Sequence, residues 1–553
     1  MHAHLRSALV FLAFLPALAA PLLAEVRLPA IFGSHMVLQQ EVPLPVWGTA
    51  DAGEAITVRF GATEASTTTA ADGTWRVTLP RQSASATPQR LTVSGRTTVA
   101  FDDVLVGEVW LASGQSNMAF PLSSAHDADE EIPRANDTSL RLFVVTKQTS
   151  AREQTTLQGR WEVCTPATAR GFSAVAYFFG RDLRASLRRP VGLINSSWGG
   201  TPIQTWLSLA ALRQAPPFTR HLATWEKAEA AYRALQADPS PLAAYRADLQ
   251  QWQKEVAPKF AAAQRAYNQA RANGDTTQTA PKPERPEPVN PDPMAIPSPS
   301  ARPQTPSVIF NAMIAPLAPY ALRGALWYQG EANVGQAKEY ETLLPRLIAD
   351  WRARWGLGEF PFLVVQLPGW ARPGDASAMP DFREGQRLAA LHSPRTALAV
   401  THDLGDPADV HPAGKRDVGL RLARLARADV YGETLVSRGP TARDVRPDGP
   451  ALRLRFDSVG SGLTLGQSPW RARGVALLPT DHLVGFELRG ADGAWREATA
   501  RLDGQDVLVS AESLPAPTAV RYAWAGAPRA TLYNRDGLPA APFLLEVAAS
   551  PAR

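Results

Sequence analysis

Two rhythms of apolar and polar positions divide the chain. Before residue 104 the apolar positions alternate with polar ones over short stretches, as in Ile56-Thr57-Val58-Arg59-Phe60 and Trp75-Arg76-Val77-Thr78-Leu79. A period of two is the mark of half-buried strands. Met36-Val37-Leu38-Gln39-Gln40 and Leu44-Pro45-Val46-Trp47-Gly48 read as further extended pieces, and Ala52-Gly53 and Asp72-Gly73 as turns between strands. Together they predict a small β-sandwich. From Val104 to Ala112 the run is continuously apolar, which predicts a buried strand. Further strands are expected at residues 191–195, 325–328, 362–366 and 396–401. Helical spacing of apolar residues intervenes at Phe172–Leu187 and Arg416–Tyr431. Strands alternating with helices predict an α/β fold with a mostly parallel sheet. Residues 437–548 return to β patterning and predict a second small sandwich-like part.

Between these regions the chain has two departures. Residues 208–275 are rich in alanine, glutamine and charge, with Trp225, Tyr232, Tyr245, Trp252, Phe260 and Tyr267 recurring among polar residues. Two or more amphipathic helices inserted into the α/β part account for this pattern. The aromatics suit the core of a helix hairpin better than the lining of a sugar site. Residues 276–306 carry a dense proline series and read as an extended loop. The expected organisation is a leader at 1–24, a β-rich part at 25–103, an α/β part at 104–436 and a β-rich part at 437–553.

Composition narrows the class. A chain of 553 residues with 45% hydrophobic and 20% charged residues can bury a substantial core. The net charge of +5 is small for this length, and no Lys/Arg run with interleaved aromatics is present, so nucleic-acid binding is not expected. Residues 1–24, with Arg6 ahead of an apolar segment and Ala24 at its end, read as an export signal. Pro16 and Pro21 interrupt that segment, and no later stretch approaches a membrane span, so no membrane anchor is expected and the location is periplasmic or secreted. Cys164 is the only cysteine, which excludes a disulfide within the chain. With no cysteine cluster and no histidine pair at ligand spacing, no metal site is expected.

The candidate chemistry begins where the Val104–Ala112 strand ends, at Ser113-Gly114-Gln115-Ser116-Asn117-Met118. The C-terminal ends of parallel strands are where open α/β sheets bind ligands. A serine there can present its hydroxyl to an ester if a histidine takes the proton. Taken alone, the same turn is equally compatible with Ser116 capping the next helix. His411, in the polar loop Asp403-Leu404-Gly405-Asp406-Pro407-Ala408-Asp409-Val410-His411-Pro412, has the best context for the base, with His402 as its rival. Asn195-Ser196-Ser197-Trp198-Gly199-Gly200-Thr201 and Trp327-Tyr328-Gln329-Gly330-Glu331-Ala332-Asn333 are two further polar stretches at strand ends.

These four stretches, in this order, resemble the blocks of the SGNH (GDSL-like) hydrolases, in the branch of the sialate O-acetylesterases and related carbohydrate acetylesterases. The resemblance covers roughly Val104 to Ala428. It implies a three-layer SGNH-type fold and a serine esterase that removes O-acetyl groups from sugars without metal or organic cofactor. It implies Ser116 as nucleophile and His411 as base. Many SGNH hydrolases place an aspartate three residues before the histidine, where this chain has Ala408. Asp409 and Glu331 are therefore the leading candidates for the third member, with Asp406 behind them. For the oxyanion and substrate the resemblance implies the backbone of Ser116, the block of Gly199 and Gly200, the neighbouring Gln115, and a side-chain amide from Gln329 or Asn333, with Gln329 preferred. The implied partner is an acetylated sugar or polysaccharide. An acetylesterase of plant cell-wall polysaccharide and a non-catalytic glycan-binding protein are the rival readings.

Overall fold

The computed structural model describes residues 25–238, 240–273, 275, 277, 279–282, 302–371, 377–466 and 482–548. The leader and most of the proline-rich loop lie outside the described residues. The first strands are β1 (Val37–Gln39), β2 (Leu44–Thr49), β3 (Ala55–Phe60), β4 (Thr63–Thr68), β5 (Thr74–Leu79) and β6 (Ser85–Ser94). In β3 and β5 the alternation read from sequence is the alternation of burial: Ile56, Val58 and Phe60 are inward, as are Trp75, Val77 and Leu79. β3 pairs with β4 and β6, while β2 and β5 form a separate antiparallel pair.

The next strand, β7 (Thr98–Gly114), is longer than the apolar run predicted. Its first half alternates and pairs with β6; its second half is buried throughout and joins the central sheet. The expected boundary at 103–104 thus falls inside one strand, and the apolar residues on both sides share one core. An alternating strand that runs on into a buried strand gives no composition break, only the change from alternating to continuous burial.

β8 (Asp137–Val144), β9 (Trp161–Cys164), β10 (Val191–Ser197), β11 (Gly324–Tyr328), β12 (Phe362–Val365) and β13 (Thr396–Ala399) complete the central sheet, in the order β13-β12-β11-β7-β10-β8-β9. All neighbours are parallel except β8 with β9. The mostly parallel α/β sheet expected from the sequence is the one observed. Helices Ala174–Leu187 and Lys415–Asp429 pack on each other, where Gly419 sits against Phe178 with no room for a side chain. Helices Ala337–Trp355 and Ala378–Leu391 form a second packed pair. The inserted region forms helices Thr219–Ala237, Ser240–Glu255 and Ala257–Ala272, as its composition predicts. Tyr245 and Leu249 are buried there, and Trp225 packs against the main core.

The C-terminal strands form two four-stranded antiparallel sheets and a two-stranded antiparallel pair, Leu463–Leu465 with Leu532–Asn534, around their own core, which includes Leu454, Leu488, Val507 and Tyr522. This part is tied to the loop after β13. Asp403 of that loop makes a buried two-pronged ion pair with Arg421, at 2.6 Å on each arm, and accepts the Tyr533 hydroxyl at 3.0 Å. The buried Arg383 guanidinium donates to the carbonyls of Leu367 and Pro368 on one side and of Ala525 and Gly526 on the other. His402, the rival base, is spent in this junction: it is buried against the Ala540 carbonyl at 3.0 Å, and burial pushes its pKa down to about 4. It supports the loop.

A buried hydrogen bond to a charged group contributes about 1.5–3 kcal/mol. Tyr533→Phe, which removes the hydroxyl alone, should therefore lower unfolding stability by roughly that amount, measured by denaturant titration at constant m-value. An unchanged midpoint would show that the Tyr533 hydroxyl adds nothing to the hold on Asp403.

Candidate active site

The register of β7 places the site. Gly114, its last residue, lies beside Ser197 of β10 and Tyr328 of β11, so three strands end side by side. Gly114 has a φ of +135°, and a Cβ there would stand 2.1 Å from the Tyr328 carbonyl oxygen. Only glycine lets the backbone pass β11 this closely. The chain then turns, with the Gln115 N–H donating to Tyr328 O at 3.0 Å, and Ser116 opens the short helix Ser116–Ala119.

The loop after β13 crosses to meet it. The Nε2 of His411 and the Oγ of Ser116 are 2.7 Å apart, a hydrogen bond that the hydroxyl can donate to the neutral imidazole. Both residues are partly exposed. Burial and the Lys415 ammonium hold the imidazole pKa below its ordinary value, and Asp409 pulls the other way. A histidine kept neutral toward acidic pH and bonded to a serine hydroxyl can accept that proton.

Gly199, from the turn after β10, lies against the serine: a Cβ there would be 3.2 Å from Ser116 Cβ. The Ser116 N–H is the first of its helix and has no intrahelical acceptor. Among the described residues neither it nor the Gly199 N–H donates to a carbonyl. Gly200 is further out and exposed, with φ +71°, and its carbonyl accepts the Gln304 amide at 3.1 Å.

Gln329 and Asn333, the expected oxyanion amides, have other partners. The Gln329 Nε2 faces Gln115 Oε1 and Thr201 O at 3.1 Å and Asn333 Oδ1 at 2.8 Å, so both its hydrogens are engaged. Asn333 accepts the Ile203 N–H at 2.8 Å and donates to Gln204 and Gln336. Gln115 Oε1 accepts from Gln329 and from the Ala332 N–H at 3.2 Å. These buried amides lock the turn after β7 to the loops after β10 and β11.

The candidate acids are placed differently from one another. Asp409 Oδ1 accepts the His411 backbone N–H at 2.8 Å, and Asp406 Oδ1 accepts the Ala408 N–H at 2.8 Å. Both carboxylates thus shape the loop. Glu331 accepts from Asn117 Nδ2, not from the histidine. Among the described residues no ion pair or hydrogen bond joins a carboxylate to the His411 ring. Asn117 and Lys415, which the sequence reading did not single out, form the junction beneath. Asn117 Nδ2 also donates to the Val410 carbonyl at 2.9 Å, and Lys415 Nζ donates to Asn117 Oδ1 at 2.5 Å. The position of Asn117, next to the serine, was the available signal. Among the described residues no cluster of side chains suits a metal ion.

A serine hydroxyl bonded to an imidazole at the C-terminal edge of a parallel sheet, beside two backbone N–H groups that donate to no carbonyl among the described residues, is the equipment of a carboxylic ester hydrolase. The comparisons with known proteins agree. Residues 106–237 and 306–428 match the model of the carbohydrate esterase family described as sialic acid-specific acetylesterase. The chain is 31% identical over 460 residues to the sialate O-acetylesterase of Rattus norvegicus, covering 76% of each. It is 29% identical over 473 residues to that of Mus musculus, covering 78% of this chain and 79% of the relative. The crystal structure of a carbohydrate acetylesterase from Xanthomonas citri superposes with a TM-score of 0.73 at 34% identity, covering 94% of this chain and 100% of that one. The chain belongs to the sialic acid-specific acetylesterase family of carbohydrate esterases.

Gly199→Ala would press a methyl group against the serine. A displacement of about 1 Å at a reacting group can cost on the order of 100-fold. The variant should lose about 10- to 100-fold in kcat on an aryl acetate with its melting temperature unchanged. A rate within twofold of the parent would place Gly199 outside the working geometry.

Proposed function

We propose that the protein is a serine esterase that removes O-acetyl groups from carbohydrates through an acyl-enzyme. The observation that carries this reading is the 2.7 Å hydrogen bond between Ser116 Oγ and His411 Nε2. In the proposed first half-reaction Ser116 Oγ attacks the acetyl carbonyl, and His411 takes the hydroxyl proton and returns it to the departing sugar oxygen. The oxyanion is stabilised by the N–H groups of Ser116 and Gly199. In the second half-reaction water, activated by the same imidazole, releases acetate. Asp409 holds the histidine backbone and its charge favours the imidazolium that forms. Support for an acetylated sugar comes from the names of the relatives, sialate O-acetylesterases in rat and mouse and a carbohydrate acetylesterase in Xanthomonas citri. The leader-like residues 1–24 suit an exported enzyme that meets such glycans outside the cytoplasm.

Ser116→Ala should abolish acetate release while leaving the melting temperature nearly unchanged, because a partly exposed turn residue carries little packing. Activity on an aryl acetate within tenfold of the parent would remove Ser116 from the mechanism.

Trp198 adjoins Gly199 and is half-buried against the core, and in this proposal its bulk crowds the acyl side of the site. Steric exclusion of longer chains should produce a steep fall in kcat/KM from acetate to butyrate esters of one aryl alcohol. A panel of O-acetyl sialic acid, acetyl-xylan and acetyl-xyloglucan should then identify the sugar by its rate of acetate release. Comparable rates on acetate, butyrate and octanoate would leave a broad-range esterase in place of an acetylesterase.

A further inference from the structure

Beneath the serine–histidine pair lies a charged assembly that the ester chemistry itself does not use. Lys415 is fully buried at the start of the helix Lys415–Asp429, with its ammonium 4.8 Å from the Phe120 ring centroid and 5.5 Å from that of Tyr328. A buried ammonium is costly unless it is paired. Its hydrogen-bond acceptor is the Oδ1 of Asn117, itself fully buried. On the other side of that amide Asn117 Nδ2 donates to Glu331 and to the Val410 carbonyl. One amide therefore stands between a cation and a carboxylate, and its nitrogen also holds the residue that precedes His411.

We propose that Lys415 and Glu331 act through Asn117 as one buried positioning unit that holds the serine turn in register with the histidine loop. The proposal rests on the assignment of Ser116 and His411 made above. Three segments distant in sequence meet at Asn117: the turn after β7, the loop after β11 and the loop after β13. The next residue back from Asn117 is Ser116, and the next after Val410 is His411. A shift of Asn117 thus moves the hydroxyl and the imidazole relative to each other, and Lys415 fixes Asn117 from below.

The charges give the unit a second effect. The imidazole is faced by Lys415 from the helix and Asp409 from its own loop, with Ser116 as its hydrogen-bond partner. Glu331 and Tyr328, from β11 and the loop after it, face Lys415. Burial pulls the Lys415 pKa down to about 7, against the attraction of Glu331 and Asp409. Burial also raises Glu331, against the Asn117 bond and the Lys415 charge. Below neutral pH, where the histidine titrates, Lys415 carries its proton and opposes protonation of the imidazole. Removing that charge must raise the histidine pKa, so the base form is reached only at higher pH.

The test is the pH profile of kcat/KM on an aryl acetate for the full chain, with Ser116→Ala as the reference for background. Lys415→Met should lower kcat about 10- to 100-fold, with KM within threefold, and should move the acid limb to higher pH. Glu331→Gln should lower kcat in the parent but add little in the Lys415→Met background, because both act on one amide. If Lys415→Met does not fold, Lys415→Gln keeps a donor for Asn117 without the charge and should show the same displaced acid limb. A kcat within twofold of the parent, an unmoved acid limb, or additive losses in the double variant would overturn the proposal. Retained activity in Ser116→Ala would instead overturn the assignment on which it stands.

Discussion

The side-chain amide of Asn117 is the point on which the site depends. Each of its polar atoms is committed within the protein: the oxygen to Lys415, the nitrogen to Glu331 and to the Val410 carbonyl. In a water-excluded position such bonds are strong when complete and costly when broken. The turn that carries Ser116 and the loop that carries His411 are nearly three hundred residues apart in sequence, and this amide joins them. Around it the amides of Gln115, Gln329 and Asn333 join the remaining strand-end loops in the same way.

The flanking β-rich parts enter the same account. The N-terminal strands share β7 with the central sheet, so the strand that ends at the serine turn begins among them. The C-terminal sheets hold the start of the histidine loop through Tyr533, Ala540 and the Arg383 bridge. Both ends of the chain thus brace an element of the site, one by continuing a strand and the other by burying polar contacts. A free-standing α/β unit would lack the second brace and part of the first.

Much of this was legible in the sequence because local physics writes it there. The continuous run Val104–Ala112, the alternation of Trp75-Arg76-Val77-Thr78-Leu79 and the Gly-rich turn at 199–200 are short-range signals, and the elements they predict are observed. The serine and histidine blocks could be recognised by order and context. What escaped was long-range. Lys415, at the head of an amphipathic helix whose next residue Arg416 is exposed, reads as one more solvated cation, yet the fold buries it. Gln329 reads as a donor for substrate, but its hydrogens go to Gln115, Thr201 and Asn333, contacts that no local pattern encodes. The carboxylates Asp406, Asp409 and Glu331 all stood at plausible spacing, and only the fold shows that two cap backbone turns and one serves Asn117.

The proposed nucleophile is the Ser116 hydroxyl bonded to His411. The most direct test of that role is covalent trapping: the protein is treated with a fluorophosphonate, digested, and the modified residue located by mass spectrometry, in parallel with His411→Ala. The account predicts one stoichiometric adduct on Ser116, formed far more slowly in His411→Ala, with loss of acetate release tracking its formation. An adduct at another serine, or labelling of Ser116 at an unchanged rate without His411, would contradict it.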